Sequence, residues 1–112
     1  MFKKFEEEFI AIQDKIIRNY CSFETKNSST ISDDNWKRSK GGGGRTFVIE
    51  KGQFFDKAAV NFSSISGSNL PTSARDIIKT KNPASYRAMG VSVITHPKNP
   101  FIPTSHMNVR LF

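Results

Sequence analysis

The last quarter of the chain constrains the fold most. Gly90 to His96 (GVSVITH) and Ser105 to Phe112 (SHMNVRLF) are two β-rich runs, joined by a connection that carries Pro97, Pro100 and Pro103. Proline removes a backbone donor and fixes φ, so this connection is stiff and cannot be a helix. Side chains alternate across a strand. In the final run His106, Asn108, Arg110 and Phe112 therefore share one face, while Ser105, Met107, Val109 and Leu111 take the other. The second set is mostly apolar and suits a core. In the preceding run Ser92, Ile94 and His96 share a face. Antiparallel pairing with Ser92 opposite Arg110 would set Ile94 against Asn108 and His96 against His106. A slip of one residue would split the group between two faces.

Such a surface has useful chemistry. Arg110 is a fixed fork of donors suited to a carboxylate. Ser92 and Asn108 donate or accept hydrogen bonds and orient a polar ligand without adding charge. His96 and His106 are proton carriers or metal ligands. Two histidines fall short of the three or four protein ligands zinc normally takes. The plainer alternative is an antiparallel sheet that shows a solvated face to water.

The first 21 residues read as one amphipathic helix. Phe2, Phe5, Phe9, Ile12 and Ile16 alternate steps of three and four and predict a docking face for the chain's own sheet. Glu6 to Glu8 precede Lys15 and Arg18, an order that complements the helix dipole, and Asp14 can pair with Arg18. Residues 22–44 lose this pattern. Ser, Thr, Asn and Asp dominate to Lys40, with Trp36 as the one large anchor, and Gly41 to Gly44 follow, so the stretch reads as a loop. The glycine run lacks the Lys-Ser/Thr ending of a phosphate loop. It is either a linker or bare backbone that closes on a ligand, with Arg45 free for an anion.

Residues 45–112 form the sheet region. Residues 45–56 read as a hairpin turning at Lys51-Gly52, and Ala58 to Ser63 as a further short strand. Ser64 to Pro71 is turn-rich, and Thr72 to Lys79 fits a short helix. One helix followed mostly by strands defines an α+β fold, a helix packed on a largely antiparallel sheet.

The chain has 112 residues and a formal net charge of +7. One domain is the limit at that length, and ten Phe supply a core. No apolar run approaches the roughly 20 residues of a membrane span, and charges interrupt the N-terminal hydrophobics too often for a secretory signal. Cys21 stands alone, which excludes an internal disulfide and points to a reducing, cytoplasmic compartment. The charge fits either simple solubility or a polyanionic partner. A nucleic-acid module is a poor candidate, because no RNA-binding strand motif accompanies the charge.

Trp36-Lys37-Arg38 before GGGGR, then VIEKGQFFDKAAVNFSSISG, then MGVSVITHPKNPFIPTSHMNVRLF resembles the oxygen-dependent coproporphyrinogen III oxidase family. The resemblance runs from Trp36 to Phe112, with the N-terminal helix in its expected place. It implies oxidative decarboxylation of two propionates of coproporphyrinogen III to vinyl groups, giving protoporphyrinogen IX in heme biosynthesis. Molecular oxygen is the co-substrate and no organic cofactor is implied, with a divalent metal as an open question. It further implies a helix-flanked sheet, a homodimer, substrate contacts at Ser92, Asn108, Val109 and Arg110, and proton donation by His106. His96 and His106 are its metal candidates. Ala59 departs from a family glycine, and Ser64 to Ser66 lack histidines that many bacterial relatives carry. Family members continue well past Phe112, through a Gly-Gly-Gly-x-Asp-Leu-Thr-Pro segment, so the resemblance implies an N-terminal part. By itself such a part is expected to be an inactive fragment that binds tetrapyrrole or a partner chain, turnover being expected of the enzyme to which it belongs.

Overall fold

A computed structural model describes residues 2–24, 29–67 and 86–112. Helix α1 (Phe2–Phe23) leads into strands β1 (Thr30–Lys37), β2 (Gly42–Glu50), β3 (Phe55–Gly67), β4 (Tyr86–Pro97) and β5 (Ser105–Leu111). The five strands form one antiparallel sheet in sequence order, each pairing with the next. The expected helix over 72–79 lies outside the described residues.

Alternation along the strands sorts the side chains cleanly. Phe47 and Ile49, Ala58, Val60 and Phe62, and Met89, Val91 and Val93 all point to one side and are buried. Helix α1 covers that side over β3 and β4, closing a core with Phe9 and Ile17. β5, at the sheet's edge, is left bare, and its Met107 and Val109 are about half exposed at 45% and 48%.

The helix seats differently from the apolar stripe read in the sequence. Phe9 is buried, but Phe5 and Ile12 are exposed, and Gln13 and Ile17 take the contact positions. The reason is polar anchoring. Gln13 Nε2 donates to the carbonyls of Arg45 (2.8 Å) and Val60 (3.0 Å), and the Tyr20 and Thr95 hydroxyls share a hydrogen bond of 2.9 Å. An apolar count gives Gln13 no weight, yet its amide N–H group reaches two backbone carbonyls, which offsets part of the cost of burying the side chain and brings Gln13 onto the contact face, although its Oε1 is buried without a partner. Glu6 to Glu8 fall beyond the first turn, which holds no acidic residue, so the dipole contribution is small. The Asp14–Arg18 pair does form, at 3.1 Å.

Residues 22–44 are a larger departure. They do not stay a loop: β1 occupies Thr30–Lys37 and β2 begins inside the glycine run, at Gly42. β1 is an edge strand whose residues are nearly all exposed, so its sequence carries no alternating hydrophobic signal. Gly41 and Gly42 adopt positive φ (117° and 96°), a turn that residues with a Cβ rarely make. The hairpin also differs: the turn extends through Phe54, and β3 runs from Phe55 to Gly67 over the first four residues of the expected turn-rich stretch, whose remainder lies outside the described residues, with an irregularity between Phe55 and Lys57.

Beyond the helix end, Glu24 clamps the β2–β3 turn. Its carboxylate accepts from the backbone N–H groups of Gln53 (2.6 Å), Phe54 (2.9 Å) and Phe55 (2.8 Å). The Phe23–Phe54 and Tyr20–Phe55 rings stack beside it. Burial pushes the Glu24 carboxyl up, but the three N–H donors and Lys98 outweigh it and hold it below its usual range. A lowered acid stabilises the fold above its unfolded value and gives that up as pH falls through the folded one. Glu24→Ala is expected to cost about 2–3 kcal/mol. Thermal melts of wild type and Glu24→Gln should diverge above pH 4.5, the ordinary glutamate value, and converge in more acidic buffer. Parallel curves across that range would remove the clamp.

Candidate functional site

The face opposite α1 is open among the described residues. Its central strands carry small side chains: Gly44, Thr46 and Val48 on β2, Ala59, Asn61 and Ser63 on β3, Ala88, Gly90 and Ser92 on β4. At a spacing of about 4.8 Å between strands, the five strands span roughly 19 Å. The result is a shallow platform between larger side chains at its two edges.

On the β1 edge, the Trp36 ring packs against Gly44. A Cβ on Gly44 would strike the indole ring and the Phe62 carbonyl, so only glycine admits this packing. The Trp36 indole N–H donates to the Thr46 hydroxyl at 3.1 Å, which orients the ring. On the β5 edge stand His106, Asn108 and Arg110, all exposed. Gly90 lies directly opposite Arg110. A Cβ there would come within 2.6 Å of the Val109 carbonyl and 3.2 Å of Arg110 Cγ, so the bare backbone lets the arginine stem lie down beside β4. The Arg110 guanidinium sits 6.0 Å from the Phe112 ring centroid.

The register differs from the one expected from sequence. Ser92 pairs with Asn108 instead of Arg110, Ile94 with His106, and Gly90 with Arg110. The shift is two residues, the side-chain period of a strand, so every side keeps its face. Ser92, His96, His106, Asn108 and Arg110 thus share one surface. Val109 does not: it pairs with the core residue Val91, so its side chain points to the helix side and only its backbone borders the platform. His96 and His106 become diagonal neighbours, a separation of about 7–8 Å between such positions. Among the described residues no group of three His, Cys, Asp or Glu is placed to hold a metal. Two diagonal imidazoles do not make a closed divalent site.

Arg45 is not free for an anion. Its Nε and Nη2 donate to both carboxylate oxygens of Asp33, at 2.9 and 2.7 Å, with Asp14 3.6 Å from Nη1. The hydrogen-bonded guanidinium holds the Asp33 carboxyl below its usual range and is itself raised by it. It also faces the helix side, away from the platform. Arg110 remains as the cation of the open face at β5.

Sequence reasoning missed three members of the platform: Trp36, Thr46 and Asn61. Across the sheet, Asp34, Thr46, Asn61, Ser92 and Asn108 form one continuous polar row. Alternation in AAVNFS places Asn61 and Ser63 on the polar side of β3, but no local signal tells which strand lies next to them.

A five-stranded meander with one helix behind it and a broad, small-residue face in front defines an α+β protein. The chain belongs to the coproporphyrinogen III oxidase family, whose family model matches residues 4–112. Members of this family are oxidase enzymes of heme and porphyrin biosynthesis. Among the described residues no helix is long and apolar enough to cross a membrane.

Proposed function

We propose that this chain acts on coproporphyrinogen III by the oxygen-dependent route, turning two propionates into vinyl groups and giving protoporphyrinogen IX. The observation that carries the reading is the common face of Ser92, His96, His106, Asn108 and Arg110 beside a platform of small side chains. A porphyrinogen is a broad macrocycle with four carboxylate arms, and it needs a floor without protruding side chains and a cation at the rim. Gly44, Gly90, Ala59 and Ala88 leave that floor low. Arg110 is the donor fork for one propionate, with the Asn108 amide and Ser92 hydroxyl beside it.

Each propionate that becomes vinyl loses carbon dioxide, a proton and a pair of electrons. Molecular oxygen takes up the electrons that leave the propionate side chain, and the macrocycle stays at the porphyrinogen level, so no organic redox cofactor is required. His106, two residues along β5 from Asn108, is the proton donor on this surface. We place the enzyme in the cytoplasm as a homodimer; the lone Cys21 suits a reducing compartment.

Oxygen consumption by the purified chain on anaerobically prepared coproporphyrinogen III, with product followed by chromatography, tests the reading directly. Binding of the porphyrinogen without oxygen uptake would favour the non-catalytic alternative. Arg110→Ala is expected to weaken binding about tenfold, the worth of one charge-assisted contact, and the wild-type affinity should fall with added salt. An unchanged dissociation constant would remove Arg110 from the site.

A further inference from the structure

The open face carries its positive charge at two corners. Among the described residues of this face, two side chains are lysine or arginine: Arg110 on β5 and Lys57 on β3. Arg45 and Arg87 turn to the helix side, where carboxylates hold them. Lys57 pairs with Glu50 of β2 and His96 of β4, and all three are exposed, while the adjoining pair Ala58 and Thr95 is buried on the other side. A carboxylate directly across a strand pair is well placed to neutralise a lysine. Yet no ion pair joins Glu50 to Lys57 among the described residues. The ammonium group stands open to a ligand, with the His96 imidazole beside it as a second hydrogen-bonding group.

The ground between the corners suits the body of the same ligand. Val48, Ala59 and Ile94 are register neighbours in the row next to Lys57 and form an apolar strip across β2, β3 and β4. Ile94 is 37% exposed, apolar surface that a ligand would cover. On β4, His96 opposite Lys57 and Gly90 opposite Arg110 are six residues apart, roughly 20 Å along the strand. β3 and β5 are two strand spacings apart, roughly 10 Å. The two α-carbons thus lie on the order of 22 Å apart, and both long stems can lean inward over the sheet with the charge at their tips. One carboxylate cannot touch both cations, whereas arms on opposite sides of a macrocycle can. We propose that Lys57, with His96 beside it, is a second propionate-binding subsite, and that the macrocycle lies over the Val48–Ala59–Ile94 strip with one arm at Arg110 and another at Lys57. The assignment rests on the porphyrinogen reading given above and deepens it, because two separated cations select a ligand whose carboxylates leave from opposite sides of the ring.

Two probes separate the subsite from the reading that underlies it. Coproporphyrin III carries four propionates around the ring; mesoporphyrin IX carries two, side by side on one edge, and reaches only one corner at a time. Trp36, the single tryptophan of the chain, reports binding of either by fluorescence quenching. Lys57→Ala is expected to weaken binding of coproporphyrin III about tenfold, the worth of one charge-assisted contact. It should leave the affinity for mesoporphyrin IX unchanged, since that pair of arms still has Arg110. Lys15→Ala, an equal loss of charge on the exposed side of α1, controls for bulk attraction and is expected to change neither. Lys57→Gln supplies the neutral measurement if the alanine variant loses its far-ultraviolet circular dichroism. Wild-type affinity for coproporphyrin III in the neutral variants, an equal loss in Lys15→Ala, or an equal loss for mesoporphyrin IX would overturn the subsite and leave the porphyrinogen reading standing. Failure of wild type to bind coproporphyrin III would overturn both.

Discussion

Replacing His106 by alanine is expected to lower turnover of coproporphyrinogen III by about 10²–10⁴-fold, the usual contribution of a positioned general acid, while the Michaelis constant changes little. The asymmetry follows from placement. His106 is exposed on β5 opposite Ile94, two residues along the strand from Asn108. The proposed substrate contacts, Ser92 and Asn108, stay intact without it. Removing a group that acts only as the proton moves takes stabilisation from the transition state and not from the bound ground state. Steady-state oxygen uptake under matched substrate would read the two constants separately. A normal rate would end the proton-donor role. A rise in the Michaelis constant alone would turn His106 into a binding residue.

Gly44→Val is the second large effect, and it lies in the fold rather than the chemistry. A Cβ at this position would meet the Phe62 backbone oxygen from the neighbouring strand and the Trp36 ring. Neither obstacle yields easily: the carbonyl belongs to the β2–β3 ladder, and the indole is held by its bond to Thr46. The substitution is expected to cost at least about 3 kcal/mol, a large share of the 5–15 kcal/mol typical of a domain, and to displace Trp36 from the platform. The midpoint of urea unfolding and the Trp36 emission maximum would both report it. Thr46→Val, on the same strand and face, gives up only the indole bond and should cost about 1 kcal/mol. If the two variants unfolded at the same denaturant concentration, the close approach at Gly44 would have no structural weight.

The open face explains why the site was only half legible beforehand. Alternation alone assigns His106, Asn108 and Arg110 to one side of β5 and Ser92 and His96 to one side of β4, and the structure keeps both groups. That assignment survives a two-residue error in register because face membership repeats with the same period. Which side chains stand opposite one another does not survive it. Asn108 faces Ser92, and Arg110 faces a glycine, so the arginine gains room to lie flat that a serine would deny.

Arg45 shows the opposite limit. Beside four glycines it reads as a free anion receptor, and Asp33 and Asp34 read as loop acids. Once β1 pairs with β2, Asp33 falls diagonally next to Arg45 on the helix side and neutralises it. Edge strand β1 had no periodic signal to announce it, since an exposed strand buries nothing that would impose alternation.

From the order of residues alone came the helix-then-sheet plan, the polar and apolar faces of β4 and β5, and the family motifs, because these depend on periodicities of two and 3.6 and on short spacings along the chain. Pairing decided the rest. The placing of Gln13 on the contact face, the partner of Arg45, the polar row through Asn61 and the platform beside Trp36 all join residues distant in sequence. Their contacts are chosen by mutual packing and hydrogen-bond satisfaction, which no local pattern records.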